Sequence, residues 1–201
     1  MFETIIEQVA AITVIELIGV ISGLLAVWFS IKNKVIAWPI FIICYLSYAL
    51  LSWQARLLPS IGMNAIFVAL SAYGWIQWSK TKSSDTTAGK ILRTPKTAWI
   101  KVVAACLLST VGFGALFTHY GAYLPYLDAF AASVALSAQW MLGRHYIETW
   151  ILWIVSDLVY IGLWAAQTYW PTVGLFAVFV ILAIKGLGDW KQQLEKSKEI
   201  N

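Results

Sequence analysis

Trp150, Trp153, Asp157, Tyr160 and Trp164 follow one another at i, i+3, i+7, i+10 and i+14 in the stretch WILWIVSDLVYIGLW. On a 3.6-residue period this spacing lays four aromatic rings and one carboxylate along a single helix face. Ile151, Leu152, Ile154, Val155, Leu158 and Val159 fill the opposite face, as a lipid-facing surface would. Aromatic faces attract cations by about 0.5–2 kcal/mol each when desolvated, and a carboxylate beside them supplies the counter-charge. The chemistry on offer is recognition of a flat, positively charged, aromatic ligand. Trp150 and Trp164 lie near the ends of the run, where an interfacial aromatic belt is the alternative use of a tryptophan.

Asp157 needs a reason to be where it is. It is the eleventh of nineteen residues in an apolar run from 147 to 165. A charge at the centre of a membrane helix costs on the order of 2.5–3.5 kcal/mol on insertion scales, so it is expected to face a cavity or a partner. The run is one of seven, at 12–31, 36–53, 59–78, 98–118, 124–142, 147–165 and 170–190. Each reaches about 18 residues or more, the length that crosses roughly 30 Å of hydrocarbon. In a chain that is 60% apolar and 12% charged, these runs predict an all-α integral membrane protein with seven transmembrane helices. The first run ends in Lys32-Asn33-Lys34 without a small-residue cleavage site, so it reads as a retained helix.

When the loops are assigned alternately to two sides, thirteen of the fourteen Lys and Arg residues fall at or near one side and only Arg56 on the other. The positive-inside rule then predicts an outer N-terminus and a cytoplasmic C-terminus in a bacterial inner membrane. Topology thereby accounts for the net charge of +4, and nucleic acid is not an expected partner. Cys44 and Cys106 read as small buried hydrophobes, and His119 and His145 have no partner at metal-ligand spacing. Gly112-x-Gly114 and Gly186-x-Gly188 lack the strand-turn-helix setting of a phosphate loop. With no nucleophile-base pair in the helices, the sequence predicts no catalytic residue, metal or cofactor, and no enzyme.

Slid against itself by 112 residues, the sequence pairs 24–78 with 136–190 without a gap, and sixteen of the 55 columns are identical. Trp28 meets Trp140, Trp38 meets Trp150, Tyr48 meets Tyr160, Gly74 meets Gly186 and Trp78 meets Trp190. The organisation that follows is an N-terminal segment 1–11, a three-helix repeat 12–78, an inner loop 79–97, a linker helix 98–118, a second repeat 124–190 and a cytoplasmic tail 191–201. An odd connector makes the repeats parallel, a three plus one plus three arrangement that recurs among transporters with a midplane site between the halves.

The first repeat carries Trp38, Phe41, Tyr45 and Tyr48 at the offsets of Trp150, Trp153, Asp157 and Tyr160, so Tyr45 stands where the second repeat has its carboxylate. Asn64 and Gln139 are further polar groups inside the helices. Glu16 and its repeat partner Asp128 lie nearer the outer ends, as solvated caps or as an entrance to a pathway. Lys185 lies close to the cytoplasmic end of the last helix, where it can snorkel, which argues against a retinal Schiff base and leaves a pathway or gate role.

The stretch AQWMLGRHYIETWILWIVSD, with WxxWxxxD at Trp150, Trp153 and Asp157, together with NKVIAWPIFIICYLSYALL and SAYGWIQW, resembles the Pnu family of vitamin transporters over about residues 14–191. That resemblance implies a full-length relative of the SWEET sugar-transporter fold. It implies facilitated diffusion of an unphosphorylated vitamin that a cytoplasmic kinase then traps, with proton coupling as the alternative. It also implies a substrate site lined by Trp150, Trp153 and Asp157, with Gln139 across from them. Nicotinamide riboside carriers of the family tend to have Asn where this chain has Asp157. The permanent charge and aminopyrimidine of thiamine suit a carboxylate, so thiamine is the expected substrate, ahead of nicotinamide riboside and riboflavin. Membrane lipids are the other expected partners, and the sequence leaves a homo-oligomer open.

Overall fold

The computed structural model describes residues 2–10, 12–80 and 89–199. Residues 81–88 of the expected inner loop, Lys82 among them, lie outside that set, as do 200 and 201 of the expected tail. Eight helices run in order: α1 (Phe2–Ala10), α2 (Val14–Ile31), α3 (Ala37–Gln54), α4 (Leu58–Lys80), α5 (Lys96–His119), α6 (Pro125–Gly143), α7 (Thr149–Ala166) and α8 (Trp170–Glu199). The extended structure among the described residues is one isolated bridge, Leu92 to Tyr146.

Six of these helices, α2 to α5, α7 and α8, are long and apolar enough to cross a membrane. The chain is a multi-pass helical membrane protein. The run at 124–142 forms α6, whose Ala, Ser and Gln lower its hydropathy. Instead of a lipid-facing stripe, α6 buries twelve residues, among them Ala131, Ala132, Ser133, Ala135, Ser137, Ala138 and Gln139. Small side chains let it pack against α5, α7 and α4 together.

Two helical stretches exceed what apolar length predicts. Phe2–Ala10 is a short helix rather than an irregular segment, tied to the α7–α8 turn by a bond from Gln8 Nε2 to the Thr168 carbonyl at 3.0 Å. The last helix does not stop at 190 but continues through 199, because KQQLEKSKE holds strong helix formers without Gly or Pro.

The duplication is visible in backbone detail. Four helices end in a left-handed residue that is not glycine, in matched pairs: Asn33 (φ 52°) with His145 (φ 57°), and Arg56 (φ 56°) with Thr168 (φ 62°). α2, α3 and α4 pack in succession, as do α6, α7 and α8, and α4 meets α6 while α2 meets α8. α5 packs on α6.

Each group of three is locked by one tryptophan in one glycine notch. A Cβ placed on Gly74 would stand 2.2 Å from the Trp38 ring, and one on Gly186 would stand 2.6 Å from Trp150. Both indoles are buried and meet a second indole edge-on, Trp38 with Trp78 at 5.3 Å and Trp150 with Trp190 at 5.4 Å. Those second indoles reach across: Trp78 Nε1 donates to the Leu142 carbonyl at the end of α6 (3.1 Å), and Trp190 Nε1 to the Ile31 carbonyl at the end of α2 (3.2 Å).

Gly74→Ala and Gly186→Ala each force an indole out of its notch and should cost about 1–3 kcal/mol, a fall of roughly 3–10 °C in the detergent melting temperature. The matched glycines Gly62 and Gly174 have open space around them, so their alanine variants should melt within about 2 °C of the parent. Equal shifts in all four variants would show that the notches do not carry the packing.

Candidate functional site

α7 turns Ile151, Val155 and Leu158 outward and buries Trp150, Ser156 and Asp157. Its height against α6 is fixed by two hydrogen bonds, Thr149 Oγ1 to the Ala138 carbonyl (2.7 Å) and Ser156 Oγ to the Ala131 carbonyl (3.0 Å). Asp157 is therefore level with the middle of α6 and is only 4% exposed.

Around Asp157 the structure gathers phenols from both groups of helices. Tyr45 of α3 and Tyr160 of α7 both lie within its electrostatic reach. Tyr45 is held by stacking between Phe41 (5.9 Å) and Phe67 of α4 (4.7 Å), and Tyr160 by stacking on Phe176 of α8 (5.0 Å). The Tyr160 hydroxyl stands near Asp128 in the first turn of α6. Its counterpart Tyr48 stands near Glu16 in the first turn of α2 and packs on Gly19. A carboxylate thus stands beside a tyrosine at the end of each group away from the lysine-rich end, and Asp157 adds a third on one side only. Such a lining attracts cations.

Trp153 is half-buried and packs, like Tyr45, against the shared core. Trp150 fills the Gly186 notch, two turns below Asp157, and Trp38 does the same at Gly74. Gln139 sits about 12 Å below the level of Ala131 at 1.5 Å per residue, and there its Nε2 donates to Ser71 Oγ of α4 at 3.1 Å. It faces α4 rather than the Asp157 group. Asn64 donates to the Ser60 carbonyl of its own helix at 2.8 Å. Trp164 meets Tyr169 edge-on at 5.5 Å. Lys185 is exposed and pairs with Asp189 at 3.3 Å.

Among the described residues, the buried polar atoms without a hydrogen-bond partner include Trp38 Nε1, Ser133 Oγ, Gln139 Oε1, His145 Nε2 and Trp150 Nε1. A buried donor or acceptor left unpaired costs about 1–3 kcal/mol.

Below the site the lysine-rich end is closed by groups to which the sequence reading assigned no role. His145 stacks on Trp78 at 4.4 Å and faces Trp190 at 6.5 Å. Its signal in sequence was its repeat partner Asn33, the other left-handed helix end. Residues 89–95 lie against this end: Leu92 exchanges backbone bonds with His145 and Ile147 (2.9 and 3.0 Å), Ile91 is buried, and Asn33 Nδ2 donates to the Gly89 carbonyl at 3.1 Å. Glu148 takes bonds from the Thr94 amide (2.9 Å) and hydroxyl (2.6 Å) and pairs with Arg93 at 3.3 Å. Burial pushes the Glu148 carboxyl up, but those bonds outweigh it and hold it below its usual range.

A buried mid-helix carboxylate with two phenols in its electrostatic reach, set in a bundle of long apolar helices, is the site of a multi-pass helical membrane protein. The family described as nicotinamide mononucleotide transporter matches residues 13–192, and the chain belongs to that family of membrane transporters. Among its relatives are a nicotinamide riboside transporter, PnuC, of Neisseria mucosa, 25% identical over 89% of this chain and 72% of that one. A riboflavin/roseoflavin transporter, RibM, of Streptomyces davaonensis is 26% identical over 87% and 83% of the two chains. The crystal structure of the vitamin B3 transporter PnuC shares the fold, with a TM-score of 0.72, 24% identity and coverage of 89% of this chain and 81% of that one.

Burial lowers the pKa of His145 from 6.5 to about 4. The imidazole is neutral between the indoles at pH 7, and the unfolded chain binds the extra proton between those two values. Stability is therefore present above pH 6.5 and falls as the pH drops toward 4, by up to roughly 3 kcal/mol at about 1.4 kcal/mol per unit. Melting curves from pH 7.5 to 4.5 should show this slope in the parent and a flatter one in His145→Asn, which keeps a residue tolerant of the left-handed backbone. Parallel slopes would remove His145 as the cause.

Proposed function

We propose that this chain carries a flat, cationic vitamin across the membrane, nicotinamide riboside first, through a site centred on Asp157. The observation that carries the reading is the enclosed Asp157 carboxylate with Tyr45 and Tyr160 about it. A pyridinium ion answers that charge in a low-dielectric setting, and phenol faces add to it. The carboxamide and ribose hydroxyls of nicotinamide riboside offer both donors and acceptors, and the Asp157 carboxylate with the Tyr45 and Tyr160 hydroxyls is the polar set at that level.

The thiamine expectation gives way to this order. It rested on Asp157 being a carboxylate, yet nicotinamide riboside is also a flat cation, so the charge alone does not separate the two. The relatives carry names of nicotinamide riboside and riboflavin transporters. Thiamine stands as the second reading because its amino group can donate to Asp157 where an amide would compete. Riboflavin is neutral and leaves the carboxylate unanswered.

The layout belongs to the same proposal: α6 crosses with the other long helices, giving seven spans as two parallel three-helix repeats joined by α5, with the N-terminus outside and the lysine-rich end in the cytoplasm. Movement is facilitated diffusion by alternating access, with cytoplasmic phosphorylation trapping the vitamin.

Calorimetric titration of the purified chain should give affinities in the order nicotinamide riboside, thiamine, riboflavin. Asp157→Asn should weaken nicotinamide riboside by about tenfold or more, roughly 1.4 kcal/mol, through loss of a desolvated charge pair. Tightest binding of thiamine would promote the second reading, and an unchanged affinity in the Asn variant would sink the contact. In proteoliposomes, counterflow of the labelled vitamin should proceed equally with and without a proton gradient; dependence on the gradient would replace facilitated diffusion by coupling.

A further inference from the structure

Where the ends of α2 and α8 diverge, a polar crevice of about 380 Å³ is lined by Lys32, Lys185, Asp189, Gln192, Gln193 and Lys196. Three ammonium groups against one carboxylate leave it a net +2 (3 − 1). Asp189 pairs with Lys185 at 3.3 Å and with Lys32 at 3.6 Å, which draws the two lysines together from different helices. Both also lie over the same indole, that of Trp28, at 5.2 and 5.9 Å from its centre. Trp28 is 41% exposed and stands at the last turn of α2.

The surface that leads into the crevice is apolar and exposed. Leu25 lies one turn up α2 from Trp28, and Ile181 and Ile184 stand on α8 beside Lys185, each between 45% and 65% exposed. On a helix that crosses a membrane this surface faces acyl chains, an interfacial tryptophan marks the headgroup level, and the ammonium groups lie just beyond it. A phosphodiester with two acyl chains meets each of these in order: chains along Leu25, Ile181 and Ile184, glycerol at Trp28, phosphate among the lysines, with the Gln192 and Gln193 amides able to donate to its oxygens.

The matched place between α4 and α6 is built differently. Arg144 and Tyr73 stand where Lys32 and Lys185 do, and Arg144 is held by the hydroxyls of Tyr73 and Tyr146. The cationic crevice stands at the junction where α2 of one group meets α8 of the other.

We propose that this crevice binds the headgroup of an anionic phospholipid from the leaflet at the lysine-rich end, one per chain, bridging the two helical groups. The site is separate from the Asp157 group and does not depend on which vitamin is carried.

Native mass spectrometry of the full chain, released from detergent containing equal phosphatidylglycerol and phosphatidylcholine, reads the preference. The parent should retain one phosphatidylglycerol. The triple variant Lys32→Gln, Lys185→Gln, Lys196→Gln should retain about tenfold less or lower. Lys90→Gln, Lys96→Gln, Lys101→Gln, which removes the same charge elsewhere, should retain what the parent does, and Asp189→Asn should retain more. The last two variants keep the test open should the first misfold. Equal loss in both triple variants would make the effect one of net charge and overturn the site, as would undiminished retention after loss of the crevice lysines. Thermal shift with inorganic phosphate distinguishes the source of the anion: stabilisation at millimolar phosphate that needs the same lysines, without lipid retention, would overturn the lipid in favour of a soluble phosphate.

Discussion

Two indole hydrogen bonds hold the rest of the molecule in place. Trp78 and Trp190 come from the last helix of each group and donate to the terminal carbonyls of the first helix of the other, Leu142 and Ile31. A helix end leaves four carbonyls without intrahelical partners, so the bonds use acceptors the fold has already left open. The reciprocity closes the two groups on each other. It also fixes the wedge between them: His145 fills the space between the two indoles, and residues 89–95 are bonded over it.

That closure makes an ionisable side chain tolerable higher up. Asp157 sits buried at mid-helix with two phenols near it, and the packing that shields it is anchored below by Trp38 and Trp150 in their glycine notches. The scaffold is nearly two-fold, but the centre is not, since Tyr45 stands opposite the carboxylate. A symmetric pair of carboxylates would repel across the low-dielectric gap. Replacing one by a phenol removes the repulsion and keeps a surface attractive to a cation.

Much of this was legible in the chain. Apolar runs located the helices because lipid forces the backbone to satisfy itself, and the 112-residue register paired Trp38 with Trp150 and Gly74 with Gly186 before any contact was known. What spacing could not supply was the partner of each side chain. Trp150 shares a helix face with Asp157, yet its ring is taken by Gly186, a contact between residues 36 positions apart. Gln139 read as facing the same centre, but Thr149 and Ser156 set the height of α7 on α6 so that it bonds Ser71 instead. Helix register across a pair depends on hydroxyls reaching neighbouring carbonyls, and no periodicity encodes it. Apolarity likewise missed α1 and the end of α8, where helix is sustained without a long apolar run.

The interactions also divide by kind. Within each group the contacts are interdigitated: an indole in a notch with no room for a methyl group cannot slide without a cost of several contacts at once. Between groups a shared apolar core around Trp38, Trp78, Trp150 and Trp190 is joined by a few directional bonds, the two indole bonds and the Gln139–Ser71 bond. Each group of three helices is therefore a packing unit in its own right, and the bonds that join the two units use helix-end carbonyls and side-chain amides rather than notches.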